Sequence, residues 1–338
     1  MPRQPIAEYL ESDILVLDGG QGTEMERRGI DVIHPLWSTL PFVKKNPTHL
    51  NHIKEMYHDF STSGARALST VTYQASFATL KQYSDGEVVT EQQYQQFLND
   101  IIGFTRDQCI SDSQYLIGCV GPYAAYLCNG AEYSGDYGSE KIDFKQYFKP
   151  QLDVFSRDDR IDMVGFETIP NIEELETLLS KDFTSMLGAK PFYISISTDS
   201  NGNLRDGTPV AKICETIKNA SKSTPPNLLF LGINCVEYHH SHDILSYLNG
   251  GLGDDCPLRF KAVYPNSGEL YDGDTHAWLP NPEITPELTW EYLVSKFAEQ
   301  NCRLIGGCCR TTPDDIKQIA DAVDKIYKEN KGGEKTEL

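Results

Sequence analysis

Three cysteines are the residues best placed to do chemistry in this 338-residue chain: Cys235, closing Gly232-Ile233-Asn234-Cys235, and the pair in Gly306-Gly307-Cys308-Cys309-Arg310. A catalytic zinc takes three protein ligands and leaves a fourth position open, whereas a closed structural site uses four. Zinc carrying three thiolates is formally anionic. It is poor at making hydroxide but well suited to binding a further thiolate and keeping it nucleophilic, since a free thiol has a pKa of about 8.5. The competing reading is two adjacent buried cysteines and one unrelated core cysteine. The other six (Cys109, Cys119, Cys128, Cys214, Cys256 and Cys302) are scattered, read as core or surface thiols, and bring the total to nine.

Two acids stand at comparable places. Asp18 opens Asp18-Gly19-Gly20-Gln21-Gly22-Thr23-Glu24, and Glu167 precedes Thr168. Each follows an apolar run, so each either caps the next helix or binds an ammonium group such as an amino acid carries. The glycine cluster after Asp18 lacks both the dinucleotide spacing and the lysine of a phosphate loop. The tract Tyr238-His239-His240-Ser241-His242 competes as a metal source; the favoured reading is a solvated loop or helix start.

These residues need elements to bring them together. Eight apolar or β-branched runs read as strands: 14–17, 67–73, 115–120, 163–166, 192–197, 228–234, 260–264 and 303–305. Most are continuous rather than alternating, as parallel strands covered on both faces require. Helical periodicity separates them, with clear cases at 172–179, capped by Asn171, and 312–327, whose apolar stripe runs from Ile316 to Tyr327. Strands alternating with helices predict a single (β/α)8 barrel over residues 1–328, with a polar tail at 329–338. A barrel gathers its strand C-terminal ends on one rim, so Asp18, Glu167, Cys235, Cys308 and Cys309 would share one mouth. The stretches 126–143 and 265–286 read as long loops above it.

Composition excludes other classes. With 30 Lys plus Arg against 49 Asp plus Glu the net charge is −19, which disfavours nucleic acid and anionic membranes as partners. No secretory h-region and no run of about 18 apolar residues occurs, so the expectation is a cytoplasmic enzyme acting on small molecules.

The motifs together resemble the homocysteine S-methyltransferases that use S-methylmethionine or S-adenosylmethionine. The matching stretches run in order from Leu17-Asp18-Gly19-Gly20 through Pro35-Leu36-Trp37-Ser38, Val71-Thr72-Tyr73-Gln74-Ala75-Ser76, Gly121-Pro122-Tyr123, Glu132-Tyr133-Ser134-Gly135-Asp136-Tyr137, Phe166-Glu167-Thr168, Asp206-Gly207-Thr208-Pro209 and Asn234-Cys235 to Tyr264-Pro265-Asn266-Ser267-Gly268-Glu269 and Gly307-Cys308-Cys309. The resemblance implies a (β/α)8 barrel and one zinc (Zn2+) per chain, held by Cys235, Cys308 and Cys309. It also implies homocysteine contacts at Asp18, Gly19, Thr70, Glu167 and Asn234. Betaine-using relatives carry an aromatic residue where Thr168 stands, which argues against betaine as donor. No cobalamin or folate region is present. The expected reaction moves a methyl group from a sulfonium to the homocysteine thiol, giving methionine. Another thiol or selenol acceptor and a non-enzymatic zinc-binding scaffold are the alternatives. Trp37, Tyr133 and Tyr137 are candidates to face the donor cation, because aromatic faces attract such charges.

Overall fold

The computed structural model describes residues 3–272 and 277–333. Eight parallel strands form the barrel: β1 (Leu15–Val16), β2 (Ala67–Ser69), β3 (Tyr115–Val120), β4 (Met163–Ile169), β5 (Phe192–Ile196), β6 (Leu228–Asn234), β7 (Phe260–Tyr264) and, after a two-stranded hairpin of β8 (Leu270–Asp272) and β9 (Ala277–Leu279), β10 (Leu304–Ile305). Each strand pairs with its neighbour around the ring, and β1 adjoins β10. The ring closes where Leu17 bridges to Ala67 and the Arg66 N–H donates to the Val16 carbonyl at 2.9 Å. Closure leaves no sheet edge to protect.

Side chains along each strand alternate between two cores, as the period of two requires. Leu15, Leu17, Ile117, Met163, Tyr193, Phe230, Ala262, Tyr264 and Leu304 fill the barrel interior. Val16, Leu68, Leu116, Val164, Ile194, Leu231, Val263 and Ile305 face outward against the helices. The first helix, Ile6–Ser12, adds Ile6 and Leu10 to the interior set and so plugs the end opposite the mouth. The interior is a packed core, not a pore.

Strand boundaries differ from the expected ones near the mouth. β2 stops at Ser69 rather than Tyr73: the Thr70 N–H still pairs with the Ile117 carbonyl, but the Thr72 N–H turns back to the Thr70 carbonyl at 2.8 Å. β4 continues past Phe166 to Ile169, with a register break where Thr168 takes a φ of 61°. The expected loop at 265–286 carries the β8–β9 hairpin, whose Leu-Tyr and Ala-Trp-Leu runs are short but β-prone. The loop at 126–143 holds a short helix, Ala131–Ser134. The last helix runs from Pro313 to Gly333, beyond the expected boundary at 328, and residues 334–338 lie outside the described residues. Among the described residues no helix is long and apolar enough to cross a membrane.

One glycine shows how tightly the interior is filled. A Cβ on Gly165 would stand 2.6–2.8 Å from the Tyr193 ring and hydroxyl. That hydroxyl donates to Glu167 Oε1 at 3.2 Å. Gly165→Ala is therefore expected to destabilise the barrel by about 1–3 kcal/mol, read as a lowered urea midpoint. An unchanged midpoint would show that Tyr193 moves freely, contrary to its packed position.

Candidate active site

The mouth encloses a cavity of about 280 Å3, lined from below by Asp18, Thr70, Cys119 and Glu167, on one wall by Cys235, Cys308 and Cys309, and nearer the solvent by His34, Trp37, Gln74, Glu132 and Tyr133. Five expected site residues from distant parts of the chain thus meet. Gly19 and Thr70 also line the cavity.

The floor holds two buried carboxyls. Asp18 Oδ2 accepts from the Ser69 N–H at 3.0 Å and Gln21 Nε2 at 2.7 Å. Burial pushes this carboxyl up to about 8; the Glu167 charge adds to the rise and the two hydrogen bonds oppose it. Glu167 accepts from the Tyr193 hydroxyl and from the Cys119 thiol, each at 3.2 Å. Burial lifts it to about 7 against those bonds. No Lys, Arg or His among the described residues pairs with either acid. A buried carboxylate without a cation is costly, so both acids hold their protons more tightly instead. Gln21, Cys119 and Tyr193 escaped the sequence reading. Only Gln21, inside the Asp18 motif, carried a signal for it.

The Thr70 hydroxyl is engaged by the Cys119 N–H at 3.0 Å and by the Thr72 hydroxyl at 2.6 Å. Gly19 must lack a side chain, because a Cβ there would lie 2.8 Å from the Phe60 ring and 3.0 Å from the Thr311 carbonyl.

The thiol wall comes next. The ligand atoms of Cys235, Cys308 and Cys309 all lie within 4.8 Å of one another, with Cys235 Sγ 2.6 Å from Cys308 Sγ and 3.9 Å from Cys309 Sγ. Contacts with Cys235 and Cys308 pull the Cys309 thiol well below its ordinary value. Three thiolates on a tetrahedral zinc at about 2.3 Å stand roughly 3.8 Å apart. The Cys235–Cys309 separation matches that spacing, and the Cys235–Cys308 separation is shorter. Three thiols so placed could hold a metal ion, and soft sulfur donors suit zinc.

Unusual backbone aims these groups. Thr168 (φ 61°), Cys235 (φ 50°), Trp37 (φ 39°) and Arg310 (φ 66°) are left-handed although none is glycine. For a β-branched residue such as Thr168 this is a strained state that its surroundings must hold. Asn234 does the holding. Its Oδ1 accepts from the Thr168 N–H at 2.8 Å, and its Nδ2 donates to the Thr168 hydroxyl at 2.7 Å and approaches Cys308 Sγ at 3.9 Å. Asn234 is completely buried beside the cavity.

Of the three aromatic candidates, Trp37 and Tyr133 line the cavity. The Trp37 ring rests on Gly22, where an added Cβ would come within 2.0 Å of it. Tyr137 lies elsewhere, bonded to the buried Glu174 and packed on Tyr123 and Phe144. The histidine tract also lies off the cavity: Tyr238–His240 form a 3-10 turn leading into the helix Ser241–Leu252, and His239 pairs with Glu283 at 2.9 Å.

A (β/α)8 barrel with a three-cysteine cluster and an acidic floor in its mouth is the class of protein that fold and site define. Residues 15–323 match the homocysteine S-methyltransferase family model. The chain is 44% identical over 336 residues to homocysteine S-methyltransferase 2 of Saccharomyces cerevisiae, covering 96% of this chain and 99% of that one. It is 32% identical over 324 residues to the homocysteine S-methyltransferase of Escherichia coli, covering 93% and 97%. Among solved structures it is similar to the metallated form of the E. coli homocysteine methyltransferase MmuM, with a TM-score of 0.71, 30% identity and coverage of 94% and 99%. The chain belongs to the homocysteine S-methyltransferase family and is a methyltransferase.

Asn234→Ala would leave the Thr168 N–H buried without a partner and release the strained turn. The expected cost is about 2–3 kcal/mol, measured by urea denaturation. A loss below about 0.5 kcal/mol would show that Thr168 keeps its conformation without the clamp.

Proposed function

We propose that the chain transfers a methyl group from a sulfonium donor, S-methylmethionine or S-adenosylmethionine, to the thiol of L-homocysteine, with one zinc ion held by Cys235, Cys308 and Cys309. The observation that carries this reading is the convergence of three thiols and two unpaired carboxyls on one cavity. Zinc bound there would let an acceptor thiol ionise near neutral pH while remaining nucleophilic.

The chain's own residues do the rest. Glu167 and Asp18 take the acceptor's ammonium group, which replaces the missing counter-cation and fixes the amino-acid end. Tyr193, Cys119, Ser69 and Gln21 hold those carboxyls in place. Fixing one end points the sulfur at the thiol wall and removes orientational freedom from the reaction. The leaving group is a neutral thioether, so no general acid is required. Negative and positive charge cancel as the methyl moves, which a dry cavity favours. The Trp37 and Tyr133 rings supply faces for the sulfonium.

Cys235→Ser should lose bound zinc and methyl transfer together, by metal analysis and by methionine formation. A fully zinc-loaded, active variant would overturn the metal assignment. The floor has a pH signature. Its carboxyls must ionise to hold an ammonium, and they do so as pH rises through about 7 to 8. L-norleucine has the amino-acid end and no sulfur, so its calorimetric binding should tighten over that range and fall away in Glu167→Gln. Binding unchanged by pH and by the substitution would remove the floor from acceptor recognition.

A further inference from the structure

We infer that the turn leaving β6 carries a second metal site, in which Glu237, His239 and His240 hold a zinc-type divalent ion and Glu283 orients His239. The site is independent of the methyl-transfer reading, and none of these residues lines the cavity.

The donors are already gathered. Ligand atoms of Glu237, His239 and His240 all lie within 4.8 Å of one another. Tetrahedral zinc takes imidazole nitrogens and carboxylate oxygens at about 2.0–2.2 Å, which places two such ligands roughly 3.4 Å apart. His240 Nε2 stands 3.6 Å from Glu237 Oε2, close to that spacing. The His239 and His240 ring centroids are 4.1 Å apart, so the second imidazole comes to the same place. His242 takes no part and pairs with Asp243 instead.

His239 carries the second observation. Its side chain is only 9% exposed, its Nε2 lies 2.9 Å from Glu283 Oε2, and its Nδ1 is buried with no hydrogen-bond partner. A metal-ligating histidine almost always gives one ring N–H to a carboxylate, carbonyl or water, which fixes the tautomer and leaves the other nitrogen as the ligand. His239 and Glu283 stand in that relation: with Nε2 donating to the carboxylate, Nδ1 keeps a lone pair that no described residue engages. A buried polar atom of this kind calls for an explanation.

The turn holds these side chains in place. The Tyr238 ring packs edge-on against Trp290 with centroids 4.7 Å apart, and its hydroxyl donates to the Leu288 carbonyl at 3.0 Å. The Ser241 hydroxyl donates to the Tyr238 carbonyl at 2.7 Å, and the His240 N–H to the Glu237 carbonyl at 3.1 Å. Opposite, the Glu283 N–H donates to the Asn281 side chain at 2.9 Å. Two imidazoles and a carboxylate are borderline and hard donors, unlike the three soft thiols, so the two sites differ in kind. Glu237 comes two residues after Cys235, so an ion here would tie down the chain leaving β6 without touching the thiols.

The test counts and types bound metal on tag-free protein, stripped with a chelator and titrated with Co2+ or Zn2+ alone. Wild type should bind two ions per chain and Cys235→Ser one. The Co2+ complex of Cys235→Ser should lack the sulfur-to-metal charge-transfer absorption that thiolate ligands give. His240→Ala and Glu237→Gln should each lose the second ion and keep that absorption, and Glu283→Gln should weaken the second ion about 10–100-fold. Zn2+ should raise the melting temperature of Cys235→Ser, and adding His240→Ala should abolish the rise. A single ion per wild-type chain would overturn the site. So would a second ion whose affinity is unchanged in His240→Ala and Glu237→Gln, which would then be an adventitious ion only. Methionine formation is read separately, so failure of the methyl-transfer reading leaves the count and type of the second ion decisive.

Discussion

Acidic groups gathered in a cavity that no Lys or Arg among the described residues lines are the constraint on which the rest of this structure depends. Asp18 and Glu167 are buried without a cation, and three thiols crowd one wall beside them. In a low-dielectric mouth such groups cannot all ionise without compensation. Part of that cost is met by hydrogen bonds from Ser69, Gln21, Tyr193 and Cys119. The remainder is the cost that the proposed metal ion at the thiols and ammonium group at the carboxyls would offset.

Keeping those groups close takes a scaffold that opposes their separation. The closed ring of parallel strands puts every strand end on one rim. The helix Ile6–Ser12 and the interior side chains make the far end solid. At the rim the backbone departs from regular geometry where function needs it. Thr168, Cys235, Trp37 and Arg310 all take left-handed conformations, and the Asn234 amide holds Thr168 in its own. Strain of this kind persists only where neighbours over-determine it. The same Asn234 approaches Cys308, so a single buried amide ties the end of β4, the end of β6 and the thiol wall into one unit.

The acidic surplus of the whole chain takes on a more local meaning here. A net charge of −19 sets a field that attracts cations in general. The proposed recognition rests instead on the few buried carboxyls that line the cavity, Asp18 and Glu167. Surface acids such as Asp85 and Asp321 are held by lysines and play no such part.

Residue type and order were enough to read the strand count, the barrel, the thiol set and the acids at strand ends. Continuous apolar runs, Gly-flanked cysteines and acids after strands each carry their own physical signature. The same reading missed the residues that hold the site together. Cys119 looked like a scattered core thiol until β3 placed it 3.2 Å from Glu167. Tyr193 looked like one more strand aromatic until the barrel interior turned its hydroxyl to the same acid. Tyr137, grouped by sequence with Tyr133, was drawn away to Glu174. The strand ends near Thr70 and Thr168 shifted because backbone hydrogen bonds decide where a ladder stops: a local turn from Thr72 to Thr70 in β2, and the distant Asn234 at Thr168 in β4. Sequence alone determined which chemical groups this protein owns and the periodic pattern that must gather them. Only the tertiary structure decided which of those groups stand without a partner, because pairing is a property of neighbours brought together by folding.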